Sequence, residues 1–168
     1  MSATMSAKTI AIRVWQNPIY FLAFGFGSGL MPYAPGTWGT MVAIPLYLLL
    51  MPCSLPIYLT LIMLFLIVGI WLCDKVSSEL TMHDFPGIVW DEIVGYLLTM
   101  TAVPATMSWI IIGFLLFRLF DIWKPFPISW VDKKVTGGLG IMLDDVLAAL
   151  PAWLILQSLI WLITGHKS

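Results

Sequence analysis

The chain has 168 residues and a formal net charge of −1, with 60% apolar residues and only 10% Asp, Glu, Lys and Arg. An average soluble domain carries about 25% charged residues. The composition therefore excludes a disordered chain, a basic nucleic-acid binder and an ordinary water-soluble enzyme, and points to a one-domain membrane protein.

In chain order, residues 1–13 form a polar, Ser/Thr-rich lead, expected to be frayed. Residues 15–33 are apolar, but Gly25, Gly27 and Gly29 weaken a regular helix there. Pro32 to Thr40 holds two prolines and two glycines and reads as a shaped loop. Thr37 is the expected N-cap of a helix through about Leu50, with Pro45 inside it. Residues 55–73 are a 19-residue uncharged run, the best membrane-spanning candidate. Residues 75–82 extend that helix, and His83 to Gly87 make a turn. A helix from about Ile88 carries Trp90, Asp91 and Glu92 on its first turns and reaches Val103 before Pro104. Residues 106–124 form another helix, and 129–134 a short amphipathic piece. Gly137 to Gly140 reads as a second glycine loop, followed by a last helix from about Met142 to Ile163. The expected division is a flexible lead over 1–14 and a single helical domain over 15–165. No secretory signal is readable, and Cys53 and Cys73 read as small buried hydrophobes.

The charges cluster. Residues 14–73, 93–117 and 146–165 carry none, and two polar islands lie between, at 74–92 and 118–145. If 93–117 were one straight span, the islands would lie on opposite sides of the bilayer. Pro104 splits that run into pieces of 11 and 13 residues, below the ~20 needed to span. The expected fold is thus all-α: a compact, membrane-embedded bundle of short, Pro/Gly-broken helices. Either a helical hairpin that dips in and returns, or helices packed in a bundle half-sunk in the membrane, brings both islands to one face. Backbone groups freed near Pro104 must then be satisfied inside the protein. Lys8, Arg13, Lys133 and Lys134 favour a cytoplasmic face for that end.

Asp91-Glu92 and Asp144-Asp145 are acid pairs near the starts of apolar helices, and Asp121 lies between them in sequence. Neighbouring residues diverge by about 100° on a helix, so each pair sends one carboxylate to a given point. One from each pair, with Asp121, gives three hard oxygen ligands suited to Mg²⁺ or Mn²⁺. The competing readings are charge at helix N-termini and a proton or ion relay. Arg118, Asp121 and Lys124 are spaced i, i+3, i+6, as a salt-bridge ladder or as cationic partners for phosphate. Gly36 and Thr37 lie in the first glycine loop, where backbone N–H groups can cradle phosphate, as they can in the second. His83 and Asp84 are further candidates, while His166 sits in the polar tail. No Ser-His-Asp, Cys-His, Walker or zinc pattern is present, so a metal-activated water suits the inventory better than a covalent nucleophile.

Four ordered blocks carry a resemblance to a known family. They are Gly25-Phe-Gly-Ser-Gly29 with Pro35-Gly-Thr-Trp-Gly-Thr40, Ile88-Val-Trp-Asp91-Glu92-Ile-Val-Gly95, Phe117-Arg-Leu-Phe-Asp121-Ile-Trp-Lys124-Pro125-Phe-Pro127, and Gly137-Gly-Leu-Gly-Ile-Met-Leu-Asp144-Asp145. Over roughly 18–150 the chain resembles the phosphatidylglycerophosphatase A family of bacterial membrane enzymes. The resemblance implies an all-helical fold and Mg²⁺-dependent hydrolysis of phosphatidylglycerol phosphate to phosphatidylglycerol and inorganic phosphate. It also implies the bacterial cytoplasmic membrane, and places the family's acidic motifs on Asp91, Glu92, Asp121 with Lys124, Asp144 and Asp145. The expected partner is the membrane lipid substrate, with no nucleic acid. The alternative from another class is a small ion-coupled transporter or channel subunit that uses the same carboxylates, although no inverted repeat is visible.

Overall fold

The computed structural model describes residues 5–82 and 85–165; the candidates His83 and Asp84, and His166, lie outside the described residues. Those described form helices joined by turns, with no strand among them. The helices are α1 (Ala7–Gln16), α2 (Pro18–Ala23), α3 (Pro35–Leu50), α4 (Leu55–Leu80), α5 (Trp90–Thr99), α6 (Met107–Trp123), α7 (Ile128–Lys134) and α8 (Gly137–Thr164), with a 3-10 turn at Ser28–Leu30.

Two helices are long and apolar enough to cross a membrane: α4, with 26 residues, and α8, with 28. At 1.5 Å per residue they reach about 39 and 42 Å, beyond the ~30 Å hydrocarbon core. Their apolar residues face outward as well as inward. Leu59, Met63, Leu64, Ile67 and Trp71 are exposed on α4, and Ile111, Leu115, Leu119 and Ile122 form a stripe on α6. Apolar faces this extensive belong against lipid, and the chain is membrane-associated.

α8 is the central element, packing on α4, α5, α6 and α7. Tyr96, Leu97, Phe117, Met142 and Leu156 are fully buried between these helices. α5 and α6 form the hairpin. α5 stops at Thr99, short of Val103, because Ala102 is left-handed (φ 57°) and Pro104 disfavours helical backbone before it. Met100 and Val103 of the turn at 100–106 are buried against the neighbouring helices, and side chains of those helices serve carbonyls of the turn and of the last turn of α5. Tyr47 Oη donates to the Val103 carbonyl and Tyr58 Oη to that of Leu97, both at 2.7 Å. Trp153 Nε1 and Gln157 Nε2 donate to the Thr101 carbonyl at 2.9 and 3.0 Å. Water cannot serve these groups inside a bilayer, so side chains on α3, α4 and α8 must.

Three further boundaries differ from the sequence reading. Residues 7–16, most of them expected within a frayed lead over 1–13, form α1. Ile10 and Val14, one turn apart, are buried, and the Ser6 side chain accepts from the Thr9 N–H. Arg13 sits 3.5 Å from Glu79 and 5.0 Å above the Tyr20 ring, which fastens α1 to α4. α3 starts at Pro35 instead of after Thr37, because left-handed Ala34 (φ 47°) precedes a proline suited to the first helical position. The expected second glycine loop is the first turn of α8. Gly138 donates its N–H to Asp74 Oδ1 at 3.1 Å, so a carboxylate from α4 caps the helix. That N–H is therefore engaged within the protein. Any Cβ on Gly138 would overlap the Ile70 carbonyl oxygen, so glycine sets how closely α8 approaches α4. Cys73 is buried and Cys53 half-buried, and neither is in a disulfide among the described residues.

Tyr58→Phe and Tyr47→Phe should each destabilise the protein by about 1–3 kcal/mol, the cost of a buried carbonyl left without its donor. Thermal unfolding in detergent measures this. Thr60→Val, which removes an exposed hydroxyl bonded to its own helix, should leave the midpoint within error.

Candidate active site

The C-terminal end of α6 and the N-terminal ends of α5 and α8 meet at one end of the bundle. Asp91 and Glu92 lie on the first turn of α5, and Asp145 on the third turn of α8. One carboxylate oxygen from each falls within 4.8 Å of the other two. Asp91 and Asp145 are 8% and 2% exposed. Asp91 Oδ1, Glu92 Oε2 and Asp145 Oδ2 are buried with no hydrogen-bond partner among the described residues. Three converging carboxylates in an apolar bundle, each with an oxygen that no described residue serves, are costly unless something positive lies between them. Their number, spacing and chemistry fit a hard divalent cation such as Mg²⁺ or Mn²⁺.

The other two acids of the predicted set are held by resident cations. Arg118 is hydrogen-bonded to Asp121 and lies 3.7 Å from Glu92 Oε1. Lys124 Nζ donates to Asp144 Oδ2 at 2.5 Å and to Asp132 Oδ1 at 2.8 Å. Lys124 stands at the C-terminus of α6 in a left-handed conformation (φ 43°), which releases its side chain from the helix toward α7 and α8. The structure thus brings all five acids to one end but gives them two duties. Asp91, Glu92 and Asp145 converge, while Asp121 and Asp144 hold Arg118 and Lys124. The i, i+3 ladder forms between Arg118 and Asp121 only; Lys124 pairs across helices.

Asp132 was legible only as one more charge in the second island. Its pairing needs α7 folded back beside the end of α6, which no local spacing reveals. Gly36 is buried in the first turn of α3, and Thr37 beside it is half-buried. A Cβ on Gly36 would overlap Glu92 Oε1 and stand 3.0 Å from Arg118 Nη1. Gly36 is thus a spacer that lets the α3 backbone reach the Glu92–Arg118 pair.

Burial raises the Asp91 carboxyl well above the usual range, helped by the charges of Glu92 and Asp145. Burial also raises Glu92, to about 7, against the opposing effects of its hydrogen bond with Asp91 and the charge of Arg118. For Lys124, burial pulls the ammonium down, but its bonds to Asp132 and Asp144 and their charges prevail and hold it above the ordinary lysine range. Lys124 therefore offers a fixed charge at neutral pH.

A family model described as phosphatidylglycerophosphatase A matches residues 21–160. The chain belongs to the phosphatidylglycerophosphatase A family. All four sequence blocks that carried the resemblance lie inside that match. The chain is 43% identical over 134 residues to the phosphatidylglycerophosphatase A of Escherichia coli, covering 79% of this chain and 78% of that one. It is 46% identical over 138 residues to the Haemophilus influenzae protein of the same name, covering 81% and 85%. A Bacteroides thetaiotaomicron relative, 39% identical over 148 residues and covering 83% and 91%, bears the name "Putative phosphatidylinositol-3-phosphatase". No solved structure matches the chain. As a phosphatidylglycerophosphatase A family member the chain is a phosphatase, the enzyme class expected from its sequence.

Two outcomes follow from this geometry. Folded Asp91 and Glu92 bind protons more tightly than unfolded carboxylates, whose pKa is about 4. Without divalent cations, stability should be greatest at or below that value and fall as pH rises toward and through about 7. The stabilisation by Mg²⁺, measured as the unfolding-midpoint difference between Mg²⁺ and EDTA, should accordingly grow from pH 5.5 to pH 8; a flat difference would count against a cation among these acids. Gly36→Ala should displace Glu92 and lower kcat by about 100-fold, as for a misplacement of roughly 1 Å, with the helical content intact by circular dichroism.

Proposed function

We propose that this chain hydrolyses the phosphomonoester of phosphatidylglycerol phosphate to phosphatidylglycerol and inorganic phosphate, using Mg²⁺ or Mn²⁺ held by Asp91, Glu92 and Asp145. The observation that carries this reading is the set of three orphaned carboxylate oxygens at the charged end of a membrane-embedded bundle, with a guanidinium and an ammonium beside them. The family membership supports the substrate.

A cation in this position supplies charge to polarise a phosphoryl oxygen and to acidify a water. The remaining roles belong to the chain's own groups. Arg118, fixed by Asp121 and Glu92, presents a guanidinium to a phosphate bound at the acids. Lys124, fixed by Asp132 and Asp144, adds a second positive charge that stabilises negative charge building on the phosphate oxygens. Asp121, Asp144 and Asp132 position these cations. Thr37, on the first turn of α3 beside the site, offers a hydroxyl and the helix N-terminus to the phosphate. The apolar faces of α4, α6 and α8 keep the site near headgroup height, where a lipid phosphate lies. Exposed Lys133 and Lys134 at the end of α7 support a site facing the cytoplasm. The relatives' bacterial sources support placement in the cytoplasmic membrane.

Detergent-purified protein should release phosphate from phosphatidylglycerol phosphate with Mg²⁺ and stop with EDTA. Asp91→Asn and Asp145→Asn should lower the rate by about 100-fold or more, beyond the loss typical of groups that only support a metal ligand. Arg118→Ala and Lys124→Ala should each cost about 10²–10³-fold, as when a donor to developing charge is removed. Full turnover in EDTA would refute the metal assignment. Assaying phosphatidylinositol 3-phosphate in parallel decides between the two headgroups named among the relatives.

A further inference from the structure

An apolar cleft of about 470 Å³ lies beside the acidic site, lined by none of the residues given a role above. Its walls come from α1, from the chain around the Ser28–Leu30 turn and from residues 85–87; Ile10, Ala11, Phe24, Leu30, Pro35 and Phe85 are among the apolar residues that line it. Among the described residues, no ionisable side chain lines it. The volume falls within the roughly 300–1,000 Å³ of small-molecule sites.

Its position gives it a purpose. Pro35 lines the cleft, and the next residue, Gly36, abuts Glu92 Oε1 and Arg118 Nη1. Consecutive Cα atoms are about 3.8 Å apart, so the apolar wall begins one residue from the charged site. The opposite wall converges likewise: Gly87 lines the cleft and packs on Gly29, and the chain reaches Asp91 four residues later. A ligand filling both places has a phosphate at one end and hydrocarbon immediately behind it.

We propose that this cleft binds the glycerol-proximal part of an acyl chain of the lipid phosphate, and so selects lipid phosphomonoesters over water-soluble ones. The proposal rests on the phosphatase reading. It assigns α1, which carries no catalytic group, to substrate selection through Ile10 and Ala11.

The test uses dibutyryl, dihexanoyl and dioctanoyl phosphatidylglycerol phosphates, each below its micelle-forming concentration, so that the protein and not an aggregate surface reads chain length. In the wild type, KM should fall with chain length, by up to about fourfold for each methylene that enters the cleft. Ala11→Trp, which fills the cleft from α1, should flatten that dependence, raising KM for the dioctanoyl substrate by far more than for the dibutyryl substrate. Ala11→Leu, a smaller change, should act in the same direction by less, and serves if the tryptophan variant does not fold. Undiminished chain-length dependence in the folded variant would overturn the proposal, as would an equal rise in KM for all three substrates. Absence of phosphate release by the wild type from all three, with Mg²⁺ present, would instead overturn the phosphatase reading and the proposal with it.

Discussion

A carboxylate taken out of water must find a positive partner, and this bundle gathers five of them at one end. The protein's own cations meet some of them: Arg118 takes Asp121 and stands 3.7 Å from Glu92 Oε1, and Lys124 takes Asp144 together with Asp132. Asp91, Glu92 and Asp145 converge, each with an oxygen that no described residue serves. Much of the architecture follows from this compensation. The α6 terminus must stand beside the starts of α5 and α8, and α7 must fold back to bring Asp132 to Lys124. The residues facing the acids across α3 must also be small, which accounts for Gly36.

The same requirement acts on the backbone. A chain that enters the membrane and returns within a few residues exposes peptide carbonyls where no water can reach them. Here Tyr47, Tyr58, Trp153 and Gln157 converge on the α5–α6 turn and supply the missing donors. This lets α5 be only ten residues long, and so returns the chain to the charged end carrying Arg118, Asp121 and Lys124. The turn inside the bundle and the site at its end are thus parts of one solution.

The two ends of the molecule divide the work expected of a lipid phosphatase. The long outward-facing apolar surfaces of α4, α6 and α8 fix depth, and the acidic end supplies charge. The cleft beside Pro35 lies where these two environments meet, within a residue of Glu92 and Arg118. An amphipathic substrate has the same division within itself, which is why an apolar wall so near a charged site reads as part of substrate recognition.

Much of this was legible from residue order. Long uncharged runs require membrane helices, Pro104 forbids a straight span over 93–117, and the four blocks identify the family, because these depend on local composition and spacing. Residues 1–13 read as a polar lead, and α1 is recognisable only once Ile10 and Val14 are seen buried and Arg13 is seen beside Glu79. The division of labour among the acids was not legible. Asp144 and Asp145 are chemically alike neighbours, and the roughly 100° between them on α8 sends one to Lys124 and the other to Asp91 and Glu92. Which carboxylate goes where depends on how α8 is rotated against α5 and α6, and Gly138 helps to set that packing by its contact with α4. The sequence by itself determined which residues are charged, where helices must break and which family the chain belongs to. Only the tertiary structure decided which acids pair with Arg118 and Lys124 and which converge on one another, because that choice rests on distances between helices far apart in the chain.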